Sequence, residues 1–83
     1  MITVQYYASL RQIAGKEEEQ FDLSGETTLA KLADIIAATQ PKIGEMLKEK
    51  KVAVSVNLDI VSLDTVVRDG DEIALLPPFS GGV

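Results

Sequence analysis

The 83-residue sequence contains no cysteine and no histidine. Without cysteine, the chain can form no disulfide, no zinc–thiolate site and no cysteine nucleophile. Histidine is the commonest general base near neutral pH and the commonest metal ligand in proteins. Its absence argues against a conventional hydrolase or metalloenzyme, and we expect no metal site.

Aromatic residues and long apolar runs are also scarce. The four aromatics are Tyr6, Tyr7, Phe21 and Phe79, so a hydrophobic content of 46% predicts an ordered domain with an aliphatic core. No apolar run approaches the roughly 20 residues that a membrane span requires. Apolar and polar residues alternate, as in a strand, from the first residues of the sequence, and no charged leader precedes them. We therefore expect a cytoplasmic protein.

The sequence also has few positively charged residues. Eight Lys and Arg residues against 13 Asp and Glu residues give a net charge of −5. Nucleic-acid phosphates would repel such a chain, so nucleic acid is not an expected partner. The charge fits a basic protein partner, and it equally fits the simple need of a small domain to stay soluble.

Alternation of apolar and polar residues predicts several β-strands. The Asp69-Gly70-Asp71 turn precedes the last strand, and Pro77-Pro78 ends it. The predicted strands are residues 2–7, 17–23, 52–56, 60–61 and 72–76.

Helical spacing predicts a short helix over residues 8–14, ended by Gly15 in a left-handed conformation. A second, main helix begins at a Thr27 or Thr28 cap and is stopped by Pro41. Residues 43–47 suggest one further helical turn. This order of elements predicts a mixed sheet of four to five strands packed on one main helix, with the first and last strands parallel at its centre. The predicted fold is therefore α+β, of the β-grasp or ubiquitin-like type.

The C-terminal segment differs from the rest of the chain. We place the domain at residues 1–76 and an extended tail at residues 77–83. Two prolines hold the backbone extended and two glycines remove every Cβ, so the tail can enter a narrow channel in another protein. Its seven residues span at most roughly 23–25 Å. Glycine-rich termini are, however, often merely frayed ends.

Three stretches resemble the small subunit of molybdopterin synthase, within the MoaD/ThiS family of ubiquitin-like sulfur carriers. The most specific is LLPPFSGG, which is similar to that family's C-terminal signature. ITVQYYASLRQIAG resembles its first strand and helix, and VSVN followed by VVRDGDEIALLPP resembles its closing strands. The resemblance covers essentially the whole chain.

The resemblance implies a carrier subunit of a sulfurtransferase complex that is not an enzyme alone. A ubiquitin-activating-type adenylyltransferase would use ATP to adenylate Gly82, and a sulfur donor protein would convert it to a thiocarboxylate. The synthase large subunit would accept the tail, and the sulfur would pass to the cyclic pterin precursor. No bound cofactor is implied. Beside Gly82, the implied site residues are Gly81 for clearance and Pro77, Pro78, Phe79, Ser80, Leu76 and Arg11 for partner binding.

The sequence departs from the family pattern by continuing to Val83. Three explanations remain open: removal of Val83 by a peptidase, an artificial addition, or a copy that is no longer loaded and acts as a binder. Alternative functions also remain open. They are a related carrier for thiamin, tRNA thiolation or cysteine synthesis, a protein modifier joined through Gly82, and an interaction module with an inert tail.

Overall fold

A computed structural model describes residues 1–23 and 25–77 of the chain. These residues form seven strands and three helices. The strands are β1 (Ile2–Tyr6), β2 (Glu18–Phe21), β3 (Thr27–Thr28), β4 (Ala53–Val56), β5 (Asp59–Val61), β6 (Val66–Val67) and β7 (Glu72–Leu76). The helices are α1 (Ser9–Ala14), α2 (Leu29–Thr39) and α3 (Pro41–Lys48).

Five strands form one mixed sheet in the order β2-β1-β7-β4-β5. The first and last strands run parallel at its centre, where Val4 pairs with Ile73 and Tyr6 with Leu75. The outer pairs, β1 with β2 and β4 with β5, are antiparallel hairpins, and β4 runs antiparallel to β7. The predicted β-grasp fold, with its parallel central pair, is confirmed.

The helices cover one face of this sheet and enclose an aliphatic core. Alternation sends every second residue of each strand toward the helices, and α2 contributes the stripe predicted from its spacing. The largest fully buried side chains are Tyr6, Ile2, Leu10, Leu32, Ile36, Ile43, Ile73, Leu75, Val4 and Val67. Within residues 1–23 and 25–77, no helix packs on the opposite face of the sheet.

The helix ends follow their local chemistry. Gly15 ends α1 with φ 77°, as predicted, and its N–H donates to the carbonyl of Arg11. Thr28 is the N-cap of α2, where its hydroxyl accepts from the Lys31 N–H at 3.3 Å. These caps satisfy backbone groups that the helix itself leaves unpaired.

Two features differ from the sequence predictions. Pro41 does not only stop α2, because it is also the first residue of α3, a helix of eight residues where one turn was expected. Proline suits this position since its missing N–H would have no partner in the first helical turn. A second, two-stranded sheet pairs β3 with β6, with Thr27 opposite Val67. Segments of two residues carry no readable alternation, so this sheet was not predicted.

Helices α2 and α3 pack closely because of Gly44. A Cβ at this position would lie 2.8 Å from the Cα of Ala37 and 3.1 Å from the carbonyl oxygen of Ala33. The bare glycine therefore allows α3 to approach the backbone of α2. Within residues 1–23 and 25–77, no helix has the length and apolar character to cross a bilayer.

Candidate functional site: the end of the last strand and the outer sheet face

The tail leaves the domain from the middle of the sheet. Strand β7 ends at Leu76, which pairs with Ala53 of β4, and Pro77 follows outside the strand. On the other side, β1 ends at Tyr6, opposite Leu75. A central strand is held by hydrogen bonds on both edges, so the point where the tail begins has a fixed position. We call Leu76 and Pro77 the tail root.

Part of the predicted site lies outside the described residues. The residues concerned are Pro78, Phe79, Ser80, Gly81 and Gly82, together with Val83. Their roles, and the division at residue 77, stay predictions. Of the predicted site residues, the structure describes Leu76, Pro77 and Arg11.

Arg11 lies where β1 ends, at the end of the sheet from which the tail root also leaves. Its Nε donates to the carbonyl oxygen of Tyr6 at 3.1 Å, and its guanidinium carbon lies 5.9 Å from the centre of the Tyr7 ring. The N–H of Tyr7 in turn donates to the Leu75 carbonyl at 3.2 Å. Arg11 therefore ties the start of α1 to the strand ends from which the tail emerges.

Arg11 keeps part of its guanidinium available to other groups. It also forms an ion pair with Glu17 at 3.7 Å, and the Arg11 side chain is 49% exposed. A half-exposed arginine over a tyrosine ring suits a contact with a partner carboxylate or aromatic group. The structure thus gives Arg11 a structural role and leaves its predicted partner contact as a prediction.

We call the helix-free side of the sheet the outer face. The side chains at its centre are short and uncharged. One row across it runs Gln5, Ala74, Ser55 and Ile60, each paired with the next. The outer face is made by Thr3, Gln5, Tyr7, Ala53, Ser55, Ile60, Ala74 and Leu76, with Glu18, Gln20 and Glu72 at its border.

Short side chains leave a shallow hollow in the middle of the outer face. Ser55 is only 6% exposed, while Tyr7 is 36% and Ile60 68% exposed. A cavity of about 50 Å³ lies over Ala74 and Ser55, bordered by Gln5 and Tyr7. The Tyr7 hydroxyl donates to Gln5 Oε1 at 2.7 Å, which fixes this border. Such a surface, with small residues at its centre and the exposed apolar side chain of Ile60 beside them, suits docking to another protein.

The side chain of Tyr6 points into the core, on the opposite side of the sheet from Tyr7. It is 1% exposed, and its hydroxyl donates to Glu19 Oε1 at 3.1 Å. Burial raises the pKa of Tyr6, and the hydrogen bond to the Glu19 carboxylate and the charge of that group raise it further. The phenol therefore stays neutral, and it joins β1 to β2 without being available for chemistry.

The described residues offer no place for catalysis by a metal. No group of three or more acidic, histidine or cysteine side chains in residues 1–23 and 25–77 is arranged to hold an ion.

Sequence reasoning missed most of the outer face. Ser55, Ala74 and Ile60 come from three strands, and only their pairing places them in one row. The sequence signal that could have found part of it is the parity of positions along a strand, that is, whether a residue is odd or even. Ala74 and Leu76 alternate with the buried Ile73 and Leu75 and so lie on the other face. Without the strand order, parity tells which face a residue is on but not which residues are its neighbours.

The parallel central strands, the helix-covered face and the tail root place the molecule among the ubiquitin-like β-grasp proteins. Comparison with known families narrows this class. The pattern of the ThiS family matches residues 4–82, and the chain belongs to that family. The matched region extends through Gly81 and Gly82 and stops before Val83.

Relatives of known function are similar over almost their whole length. The molybdopterin synthase sulfur carrier subunit of Chlamydomonas reinhardtii is 38% identical over 98% of this chain and 98% of its own. The subunit of the same name from Escherichia coli is 33% identical over 99% of this chain and 100% of its own. Small archaeal modifier protein 1 of Haloferax volcanii is 29% identical over 92% of this chain and 94% of its own.

Solved structures share the fold. A putative molybdopterin converting factor subunit 1 from Pyrococcus furiosus superposes with a TM-score of 0.79 at 30% identity, covering 93% of this chain and 95% of that one. A second match comes from a complex of subunits 1 and 2 of the molybdopterin-converting factor of Helicobacter pylori. There the TM-score is 0.63 at 27% identity, over 98% of this chain and 97% of that one. The chain is thus a homologue of molybdopterin synthase sulfur carrier subunits and of related ubiquitin-like carriers.

Proposed function

We propose that this protein is the sulfur carrier subunit of a molybdopterin synthase and that Gly82 carries the sulfur as a thiocarboxylate. The observation that carries the proposal is the family match over residues 4–82, which includes both the domain and the Gly81-Gly82 pair. The similarity of whole chains to molybdopterin synthase sulfur carrier subunits supports this particular pathway.

The geometry of the described domain supports separate roles for the domain, which would dock to the partner, and for the tail, which would carry the sulfur. The tail root is held in the central strand, so a docked domain would aim the tail in one direction. From Pro77 to Gly82, an extended chain reaches at most roughly 20 Å. Docking through the outer face would leave that length free to enter the partner. Sulfur on such an arm reacts at high effective concentration, because it is already bound to the complex.

The proposed chemistry begins with activation of a poor electrophile. A carboxylate oxygen of Gly82 attacks the α-phosphate of ATP on a ubiquitin-activating-type adenylyltransferase, and pyrophosphate leaves. A hydrosulfide equivalent (HS⁻) delivered by a donor protein then attacks the carbonyl carbon and displaces AMP, which leaves a thiocarboxylate without a change of oxidation state. In the large subunit, the thiocarboxylate sulfur attacks a carbon of the cyclic pterin precursor, and an oxygen substituent leaves that carbon. Water then cleaves the acyl–sulfur bond, so that the sulfur stays on the pterin and Gly82 is released as a carboxylate. ATP is a substrate of the activating enzyme, and we propose no cofactor bound to the carrier.

Val83 must be removed before this sequence of steps can begin. With Val83 attached, the carbonyl of Gly82 is an amide and has no free carboxylate to adenylate. Valine itself is branched at Cβ, which makes it a poor fit for a channel that accepts glycine. We therefore propose that the active form ends at Gly82.

Intact-protein mass spectrometry tests the proposal. Three forms are incubated with the activating enzyme, ATP and a sulfur source: the full chain, a form ending at Gly82 and a form ending at Gly81. We expect only the form ending at Gly82 to exchange one oxygen for sulfur and then to support pterin conversion by the large subunit. The form ending at Gly81 is the matched control, since it keeps the same domain and a terminal glycine. Failure of the Gly82 form to gain sulfur, with a known carrier loaded in parallel, would contradict the proposal.

Protein modification is the second candidate, favoured by the similarity to small archaeal modifier protein 1. In that case Gly82 would be joined to lysines of other proteins. Chains ending at Gly82 would then appear in isopeptide-linked adducts in cell extract. Abundant thiocarboxylate without any adduct would exclude this function.

A further inference from the structure

A cavity lies at the edge of the main sheet, between α2, α3 and the β4–β5 pair. Its volume is about 460 Å³, which is within the range of pockets that hold small ligands. Leu47, Val52 and Val54 line it, and all three are buried members of the hydrophobic core. Val61 and Leu63, which are half-buried, line it as well. The cavity therefore has an apolar floor that is continuous with the core.

The charges beside this cavity balance each other. Lys50 and Asp64 both line it, and neither forms an ion pair within residues 1–23 and 25–77. A charged occupant would be attracted by one of these side chains and repelled by the other. An apolar occupant would instead remove core side chains from contact with water. The lining therefore favours an apolar group.

The tail leaves the domain one strand away from the cavity. Ala53 lines the cavity and pairs with Leu76, the last residue of β7. On the other side of β4, Val54 pairs with Val61 of β5. Pro77 is half-buried, so the chain still lies against the domain where the described residues end. The residues that follow Pro77 therefore start close to the cavity.

Phe79 is the large apolar side chain of the tail. It follows Leu76 by three residues, and a proline-rich segment spans about 3.1 Å per residue, a reach of about 9 Å. Neighbouring strands are about 4.8 Å apart, so the step from β7 across β4 to β5 is about 10 Å. Pro77 and Pro78 have fixed φ angles, which reduces the conformational entropy lost when Phe79 is held. The tail thus offers an apolar group at a matching distance.

We propose that the ring of Phe79 binds in this cavity of its own domain when no partner holds the tail. A group on the same chain has an effective concentration of roughly millimolar order, which a second copy reaches only in concentrated solution. The contact itself does not depend on the proposed function, but its consequence rests on it. A partner that needs the tail must first draw Phe79 out, so its apparent affinity scales with the fraction of chains whose tail is free.

NMR spectroscopy of the full chain, with labelled Leu and Val methyl groups and labelled backbone amides, tests the contact. We expect nuclear Overhauser effects between the Phe79 ring and the methyl groups of Leu63 and Val52. The order parameter of the Ser80 amide should be near the rigid value of about 0.85. Both observations should be the same at low and at high protein concentration, because the contact is made within one chain.

Three variants separate the cavity contact from other causes. Phe79→Ala removes the ring from the tail and leaves the core of the domain unchanged. Ala30→Phe places a ring at an exposed position of α2 that lines the cavity, whereas Ala38→Phe places the same ring at an exposed position of α2 outside the lining. We expect the order parameter of the Ser80 amide to fall below about 0.6 in Phe79→Ala and in Ala30→Phe, and to stay unchanged in Ala38→Phe.

The outcomes separate this inference from the proposed function. A flexible Ser80 amide in the original chain, without effects between the Phe79 ring and the cavity, would refute the contact and leave the carrier function standing. Effects that appear only at high concentration would place the Phe79 ring of a second copy in the cavity, and the inference would be wrong. A tail that stays rigid in Ala30→Phe would show that it is held elsewhere. The gain of sulfur at Gly82 is measured separately, and its failure would contradict the proposed function without removing the cavity contact.

Discussion

Gly44 provides a sharp test of how the two longer helices are packed. Substituting Gly44→Ala places a Cβ against the side chain of Ala37, 2.8 Å from the Ala37 Cα and 3.1 Å from the Ala33 carbonyl oxygen. Two of these three contacts are with backbone, which cannot rotate away as the end of a flexible side chain can. Helix α3 must therefore move away from α2.

Two opposing effects set the size of the change. Alanine in a helix interior is favoured over glycine by up to about 1 kcal/mol. Overpacking a well-filled contact costs about 1–3 kcal/mol. Because the clash involves backbone, we expect packing to prevail and Gly44→Ala to lower the free energy of unfolding by about 0.5–2 kcal/mol. For a domain of this size, each kcal/mol lowers the melting temperature by about 4–8 °C.

Urea denaturation of four variants beside the original chain separates these effects. Ala38→Gly, on the exposed side of α2, measures helix propensity without the packing contact. Ala37→Gly removes the Cβ that the new methyl meets, so the double variant Ala37→Gly with Gly44→Ala should lose less stability than the sum of the single variants. A Gly44→Ala chain as stable as the original, or strictly additive losses in the double variant, would refute the close approach of the two helices.

Two further predictions concern Tyr6, at the end of β1, and Arg11, which donates to the Tyr6 carbonyl. Tyr6→Phe removes the phenol whose pKa is raised above its ordinary value of 10.0. Folding favours the neutral phenol, so its contribution is complete below about pH 10 and declines at higher pH by at most about 1.4 kcal/mol per pH unit. In urea denaturation between about pH 8 and pH 11, the original chain should therefore lose stability more steeply than Tyr6→Phe, and parallel curves would contradict the assigned burial. Arg11→Ala removes the hydrogen bond to the Tyr6 carbonyl and should lower the free energy of unfolding by about 0.5–1 kcal/mol, since the side chain is half exposed. An unchanged affinity of Arg11→Ala for the large subunit would show that the predicted partner contact is wrong and that Arg11 is structural only.

Local sequence signals determined the elements whose chemistry is self-contained. Gly15 marked the end of α1 and the Thr27-Thr28 pair the start of α2, because a left-handed glycine and a capping hydroxyl act on their own backbone neighbours. Alternation identified the strands of the main sheet, and the apolar stripe identified α2. The β-grasp fold followed because few arrangements bury one helix stripe against strands in this order.

Weak local signals were insufficient elsewhere. The prolyl residue at position 41 was interpreted only as a stop, whereas proline is equally suited to the first turn of a helix. The two-residue strands β3 and β6 exist because the loop before α2 meets the loop before β7, which no local pattern records.

The working end proposed for this protein rests on the sequence by itself, since the meaning proposed for Pro77-Pro78 and Gly81-Gly82 depends on covalent order and on missing side chains. Tertiary structure alone decided the surface that accompanies it. Gln5, Ala74, Ser55 and Ile60 form one row only after β1, β7, β4 and β5 have paired in a fixed register. The cavity proposed for Phe79 likewise depends on Ala30, Leu47 and Leu63, which come from α2, α3 and the segment after β5. Sequence order defines a tail, but a docking surface is defined by neighbours across strands, and only the folded sheet brings those together.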